Sequence, residues 1–282
     1  LRDALAGRSR TAVLAAVGSG CLLLGCLLLG TAGAETASRP EIPLGEAYAV
    51  FASHPKVDLT HAFGPGTPVR PGLGQAKMTP AVDPDTLEAY TIARNGFRDT
   101  YYAMVGQYGT HVDPPAQVAP TGATLDEVPL DQMILPLVVL DDTPYLGADP
   151  THAFSPDDLA AWEQAHGRVA RGSFVALRTD MAKDWTADPD RFKRRPFPGW
   201  SLPVLKLLFE ERGVVAIGHE SLDDDATKTR DGERYVLEHG HYQIDAMDNL
   251  DKVPRTGAIL VATWPKVKNG LGFPARVFAI LP

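Results

Sequence analysis

Gln107-Tyr108-Gly109-Thr110-His111-Val112-Asp113-Pro114-Pro115-Ala116-Gln117 is the stretch from which the rest of the chain can be read. It brings an amide, an imidazole and a carboxylate, those of Gln107, His111 and Asp113, close together in sequence. Side chains two apart on an extended segment share a face, so His111 and Asp113 project together and Gln107 has the same parity. This donor set suits a borderline or hard divalent ion, zinc or manganese. Pro114 and Pro115 fix φ, argue against continuation into a helix, and hold the donors on a rigid turn. A His-x-Asp pair is also a common surface hydrogen bond or turn, so spacing alone leaves a structural role open.

The stretch also resembles the signature of the cyclase family, which includes bacterial kynurenine formamidases and isatin hydrolases and reads His-x-Gly-Thr-His-x-Asp-x-Pro-x-His. Gly109, Thr110, His111, Asp113 and Pro115 match, while Gln107 and Gln117 stand where the family usually has its first and last histidines. The resemblance runs from about Val57 to Pro282. It implies a swivelling β/β/α fold, an α/β domain with a mixed sheet and flanking helices. It also implies metal-dependent hydrolysis and a homodimer whose exposed loops, such as 64 to 74, meet a neighbour near the pocket.

Toward the N-terminus, Val57-Asp58-Leu59-Thr60-His61 reads as a short strand, followed by a loop that Gly64, Pro65, Gly66, Pro68, Pro71 and Gly72 force to turn. This segment resembles the family's opening and makes His61 a candidate for touching substrate. Residues 35 to 56 show little periodicity and read as a linker or arm. Residues 1 to 34 differ from all that follows: Arg2, Arg8 and Arg10 precede an apolar run from Thr11 to about Thr31 that ends in Ala32-Gly33-Ala34. That is the pattern of a secretory signal peptide cleaved near Ala34, and it implies a periplasmic or secreted protein. The run is also long enough to span a bilayer, so an uncleaved anchor is the alternative and the one membrane contact expected. Cys21 and Cys26 both lie in this leader, so a chain starting at Glu35 has no thiol for a disulfide, a nucleophile or a zinc–thiolate site.

With 282 residues, 44% hydrophobic and 22% charged, the chain can bury a substantial core, read as a single domain over 57–282. A formal net charge of -8 without a basic cluster interleaved with aromatics argues against nucleic acid. A small-molecule amide or lactam fits better.

Toward the C-terminus, Thr100 to Val105 reads as a strand leading into the motif, and Ile134 to Leu140 as a strand buried on both faces. Ser155-Pro156-Asp157-Asp158 starts a helix that runs to His166, and Leu202 to Arg212 forms another that Gly213 ends. Strands over Gly172–Thr179, Val214–Gly218, Gly257–Thr263 and Ala275–Leu281 complete a mixed α/β alternation. Arg178 lies in a segment that resembles the family's Arg-Thr beside the active site; it either orients a substrate oxygen or pairs with a structural carboxylate. His219 and Glu220, at a strand end, are pocket candidates because function sits on loops held by rigid elements.

The resemblance implies a second half of the site, a His and a later Glu just ahead of an Asn-Leu segment. Aligned on Asn249-Leu250, Asp245 takes the place of the Glu and Glu233 that of the His. With Gln107 and Glu233 replacing imidazoles, a single oxygen-rich site is expected, and hard donors favour manganese over zinc. Gln243 and His241 are reserve ligands or support for the ligands. The expected metal set is therefore Gln107, His111, Asp113, Glu233, Gln243 and Asp245. Gln117 cannot move a proton as an imidazole does, which leaves His219, Glu220 and His241 to take over that task. The expected function is an exported metal-dependent hydrolase of an aryl formamide or small cyclic amide, with the ion activating water and polarising the carbonyl. The alternatives are a non-catalytic secreted metal- or ligand-binding protein on the same fold, and a metal-dependent cyclase or dehydratase.

Overall fold

The computed structural model describes residues 42–223 and 229–282. The leader read over 1–34, its cleavage point, and the first part of the arm lie outside the described residues. Among the described residues no helix is long and apolar enough to cross a membrane. In the segment read as an arm, Leu44–Ser53 forms a helix, α1, with no buried residue. Its run of Leu, Glu and Ala favours helix, and Pro43 and Pro55 bracket it.

Nine strands form the main sheet: β1 Lys56–Asp58, β2 His111–Asp113, β3 Ile134–Asp141, β4 Phe174–Arg178, β5 Ala216–His219, β6 Gln243–Asp245, β7 Ala258–Thr263, β8 Phe273–Pro274 and β9 Arg276–Ile280. Their spatial order is β1-β9-β7-β3-β4-β5-β6-β2-β8. The central β3-β4-β5-β6 block is parallel, and the pairs outside it are antiparallel. Parallel neighbours need crossovers, which helices supply. These include α2 Pro156–His166, α3 Leu202–Lys206 and α4 Asp231–Glu238. Ser155 caps α2 in a capping box with Asp158, as its sequence predicts. The helix that starts as α3 widens to a π-helical turn over Leu207–Arg212 and stops at Gly213, φ 68°.

The central strands are buried on both faces. Leu137, Val139, Phe174, Ala176 and Ala216 join one core cluster, while Val138, Leu140, Val175, Leu177 and Ile217 join another with Leu159, Val204, Leu205, Val236 and Leu237 of the helices. The first cluster contains residues from strands along the whole sheet and none from α1–α4, so that face of the sheet curls upon itself. The strand predicted over Thr100 to Val105 exists as Thr100–Ala103, but it pairs with Lys77–Pro80 in a separate two-stranded sheet. Its side chains are mostly exposed, so no core draws it into the main sheet.

Candidate metal centre

The motif forms its site through β-sheet register. β2 and β6 are antiparallel, with Asp113 opposite Gln243 and His111 opposite Asp245. Alternation then projects His111, Asp113, Gln243 and Asp245 from one face, while Val112 and Ile244 point into the first core. The strand is very short because Gly109 precedes it at φ 68° and Pro114 follows it. The prolines do not exclude helix altogether: Pro115–Gln117 is a single 3-10 turn with Pro115 at its first position, where a missing N–H costs nothing.

His111, Asp113 and Asp245 each present an atom within 4.8 Å of the others, and all three are buried. His111 Nε2 lies 3.7 Å from Asp113 Oδ2 and 3.7 Å from Asp245 Oδ2. The other edge of the ring is committed, since Nδ1 is 2.9 Å from the Gly109 carbonyl, which can only accept. In the neutral ring Nε2 is therefore a bare nitrogen facing two carboxylates. His219 repeats the pattern. Its Nδ1 lies 3.2 Å from the Ser221 carbonyl and 3.1 Å from Ser221 Oγ, whose own hydrogen goes to the Asp223 carbonyl, so Nδ1 donates. Its Nε2 then faces Asp245 Oδ1 at 3.1 Å with poor hydrogen-bond geometry, and His219 Nε2, Asp245 Oδ1 and Gln243 Oε1 are all buried without a hydrogen-bond partner. Lone pairs turned toward carboxylate oxygens in a dry site repel one another unless a cation lies among them. The residues present thus fit a divalent ion.

Asp113 is held by carboxamides. Gln107 Nε2 donates to its Oδ1 at 3.2 Å and to the Leu271 carbonyl at 2.9 Å. With its nitrogen turned to the carboxylate, Gln117 donates to Oδ1 at 2.7 Å and Oδ2 at 3.2 Å. Gly272 leaves room for this arrangement, because a Cβ there would stand 2.0 Å from Gln107 Nε2. Burial pushes the Asp113 carboxyl up to about 6 and the charge of Asp245 adds to this, against His111, Gln107 and Gln243. Burial acts on Asp245 in the same sense, but His219, His111 and Arg70 outweigh it and hold that carboxyl low.

The remaining sequence candidates are distributed as follows. Gln107, read as a ligand, turns its amide nitrogen to Asp113, and because an amide nitrogen does not bind cations its task here is to orient that ligand. Glu233, also read as a ligand, is buried on the inner face of α4 and paired with Arg230. Burial pushes its carboxyl up to about 7, and the charges of Asp245 and Asp113 add to this. Glu220 turns away: its Oε2 accepts from Thr179 N at 2.7 Å and from Thr179 Oγ1 at 3.2 Å. His241 is not brought to the triad, since its ring stacks on Phe209 with centroids 4.0 Å apart and its Nδ1 meets the Val215 carbonyl at 3.0 Å. Arg178 pairs with Asp180 and Asp141, the structural alternative of the two readings. His61 stacks flat on Trp185, centroids 4.2 Å apart, with Nδ1 3.5 Å from Asp248 Oδ2. Its Nε2 is buried without a partner, and it lines a cleft of about 650 Å³ with Phe63, Trp264 and Phe273.

Glu220 makes a stability prediction. Burial raises its carboxyl to about 7 from an ordinary 4.5. The folded state thus binds this proton more tightly than the unfolded one, and stability falls as pH rises between about 4.5 and 7, by an order of 3 kcal/mol for this group. Glu220→Gln keeps an acceptor for Thr179, and denaturant unfolding at several pH values should show that decline flattened. An unchanged slope would mean that Glu220 is ionised in the folded protein throughout.

Sequence reasoning missed Arg70, Asp223 and Arg230; Arg70 meets Asp223 from 153 positions away in the chain.

Comparison with known proteins agrees with this geometry. The Cyclase family pattern matches residues 57–226. An isatin hydrolase of Roseibium aggregatum is 30% identical over 244 residues, which cover 80% of this chain and 91% of that protein. A kynurenine formamidase of Paracidovorax citrulli is 28% identical over 195 residues, 64% of this chain and 78% of that protein. The solved structure of isatin hydrolase A from Labrenzia aggregata, bound to benzyl benzoate, superimposes with a TM-score of 0.74 at 28% identity, over 84% of this chain and 98% of the other. With its Gly-Thr-His-x-Asp strand, its curled mixed sheet and its buried His-Asp-Asp set, the chain belongs to the cyclase family.

Proposed function

We propose that this protein is a metal-dependent hydrolase of an aryl formamide or a small cyclic amide. The observation that carries the reading is the buried set of His111, Asp113 and Asp245, with bare nitrogens of His111 and His219 facing carboxylate oxygens. A divalent cation held there supplies Lewis-acid polarisation of an amide carbonyl and makes water acidic enough to attack near neutral pH. With two imidazole nitrogens and two carboxylates facing the centre, the donors suit zinc as well as manganese.

The chain's own residues supply the rest. Gln107 and Gln117 fix the orientation of Asp113, and neither amide can carry a proton. Glu233 can: it is buried on α4, within electrostatic reach of Asp245 and Asp113, with a carboxyl near neutrality, the range in which general acid–base catalysis is effective. In this reading Glu233 takes the proton of the attacking water as the C–O bond forms, and returns it to the nitrogen as the C–N bond breaks.

Export through the leader and pairing of two copies belong to the same proposal. The exposed Val82, Leu87, Ile92, Phe97, Tyr101 and Tyr102 on and around the small two-stranded sheet support a surface for a second copy. Intact mass of the exported protein and sedimentation test these two points.

The deciding experiment is metal removal. Chelator-stripped protein should lose hydrolysis of N-formylkynurenine and isatin and regain it with manganese or zinc, with metal analysis giving one ion per chain. Full turnover without bound metal would overturn the metal dependence on which this reading rests. Stoichiometric metal without turnover would favour the binding protein, a reading that the engaged Gln117 supports.

A further inference from the structure

Arginines from separate parts of the chain converge on one buried aspartate. Asp223 is in contact through Oδ2 with Arg70 and Arg195, and its Oδ1 lies 3.7 Å from Arg230 Nε. This aspartate is wired to the metal centre. Its carbonyl accepts from Ser221 Oγ at 2.7 Å, Ser221 Oγ lies 3.1 Å from His219 Nδ1, and His219 Nε2 faces Asp245 at 3.1 Å.

Arg70 reaches the same point from a distant part of the chain. It follows Val69, which packs in one cluster with Tyr108 of the motif. The Tyr108 hydroxyl lies 2.9 Å from both the Gly64 carbonyl and Gln75 Oε1, which ties the Arg70 loop to the strand that carries His111. Arg70 is therefore tied to both halves of the site, through Asp223 on one side and through its loop to Tyr108 on the other, and its charge is felt at Asp245.

Its geometry leaves binding capacity. Arg70 is 26% exposed and, among the described residues, touches Asp223 through Nη2 alone. A guanidinium offers five N–H donors in a planar fork that matches a carboxylate, so its solvent side can accept a second one. Asp223, only 2% exposed, fixes the orientation of that fork.

Building on the hydrolase reading, we propose that Arg70 is a specificity-determining residue that binds a carboxylate, either one carried by an anionic aryl amide or the one formed when a cyclic amide opens. In the second case the ring C–N bond breaks, the oxygen of water joins the acyl carbon to make the carboxylate, the nitrogen takes one of the water's protons and the other is released to solvent. Atoms balance without any further reactant. The chemistry distinguishes anions from neutral molecules of the same shape, because only the anion forms a charge-assisted pair with the fork.

The test is equilibrium binding, so that it stands apart from turnover. Manganese-loaded full-length protein is titrated calorimetrically with 2-aminobenzoate and with neutral 2-aminobenzamide, for wild type, Arg70→Gln and Arg70→Lys. The metal is the same in every variant, so differences among them isolate Arg70. Wild type should prefer the anion, and Arg70→Gln should reduce the anion-to-amide affinity ratio by about 10- to 100-fold. Arg70→Lys should restore part of it, since an ammonium keeps the charge but loses the fork. An equal loss of both ligands, or an unchanged ratio, would overturn the proposal and leave Arg70 as a staple between loops. Should Arg70→Gln fail to fold, the Lys variant decides: a ratio as high as that of wild type would also overturn it. Absence of amide turnover, with anion preference intact, would count against the hydrolase reading and not against this one.

Discussion

Asp245→Ala is expected to weaken manganese or zinc binding by about 10²- to 10³-fold or more, the equivalent of the 3–5 kcal/mol lost when a buried charge is deprived of its partner. The reason is geometric. Asp245 is the residue that faces both imidazoles, with Oδ2 3.7 Å from His111 Nε2 and Oδ1 3.1 Å from His219 Nε2. Its removal leaves two bare nitrogens and one carboxylate, too little charge to compensate the desolvation of a divalent ion. The metal-free variant should be less resistant to denaturant than metal-free wild type, because His219, His111 and Arg70, which hold the Asp245 carboxyl low, lose their partner. Calorimetric titration and metal analysis check the first part, and urea unfolding the second. Stoichiometric, tight metal in Asp245→Ala would mean that the ion binds elsewhere.

The second large effect concerns proton transfer. Glu233→Gln should lower kcat by about 10²- to 10⁴-fold while metal content stays at the wild-type level. Glu233 lies in the first turn of α4, where Val236 and Leu237 on the same face anchor the helix in the second core. The pairing with Arg230 opposes the rise of its carboxyl but does not cancel it. A glutamine of the same shape keeps an oxygen for Arg230 and loses only the titrating proton, so the acid limb of the wild-type pH–rate profile should vanish with the rate. Loss of metal together with rate would assign Glu233 to the ion instead. An undiminished rate would return the task to another group, and the positions of Glu220 against Thr179 and of His241 against Phe209 make both poor candidates.

Local chemistry determined much of this protein from sequence alone. His111 and Asp113 share a face because a strand alternates, Ser155 and Pro156 start a helix because of the groups they offer or lack, and of the apolar run Ile134–Leu140 the part from Leu137 on is buried on both sides while Ile134 and Pro136 are exposed. The cyclase-type fold was legible through five matching motif residues rather than through composition. Other features depended on contacts between distant segments. Asp245 meets His111 only because β6 pairs with β2 in one register, and a slip of one residue would turn it into the core. Whether Gln107 offered its oxygen to an ion or its nitrogen to Asp113 was decided by the Leu271 carbonyl, 164 positions along the chain. Arg178, Glu220 and His241 stood at plausible strand ends, yet which neighbour each would satisfy is a property of packing. A buried polar group takes whatever partner the fold brings within hydrogen-bond reach, and no local pattern encodes that partner.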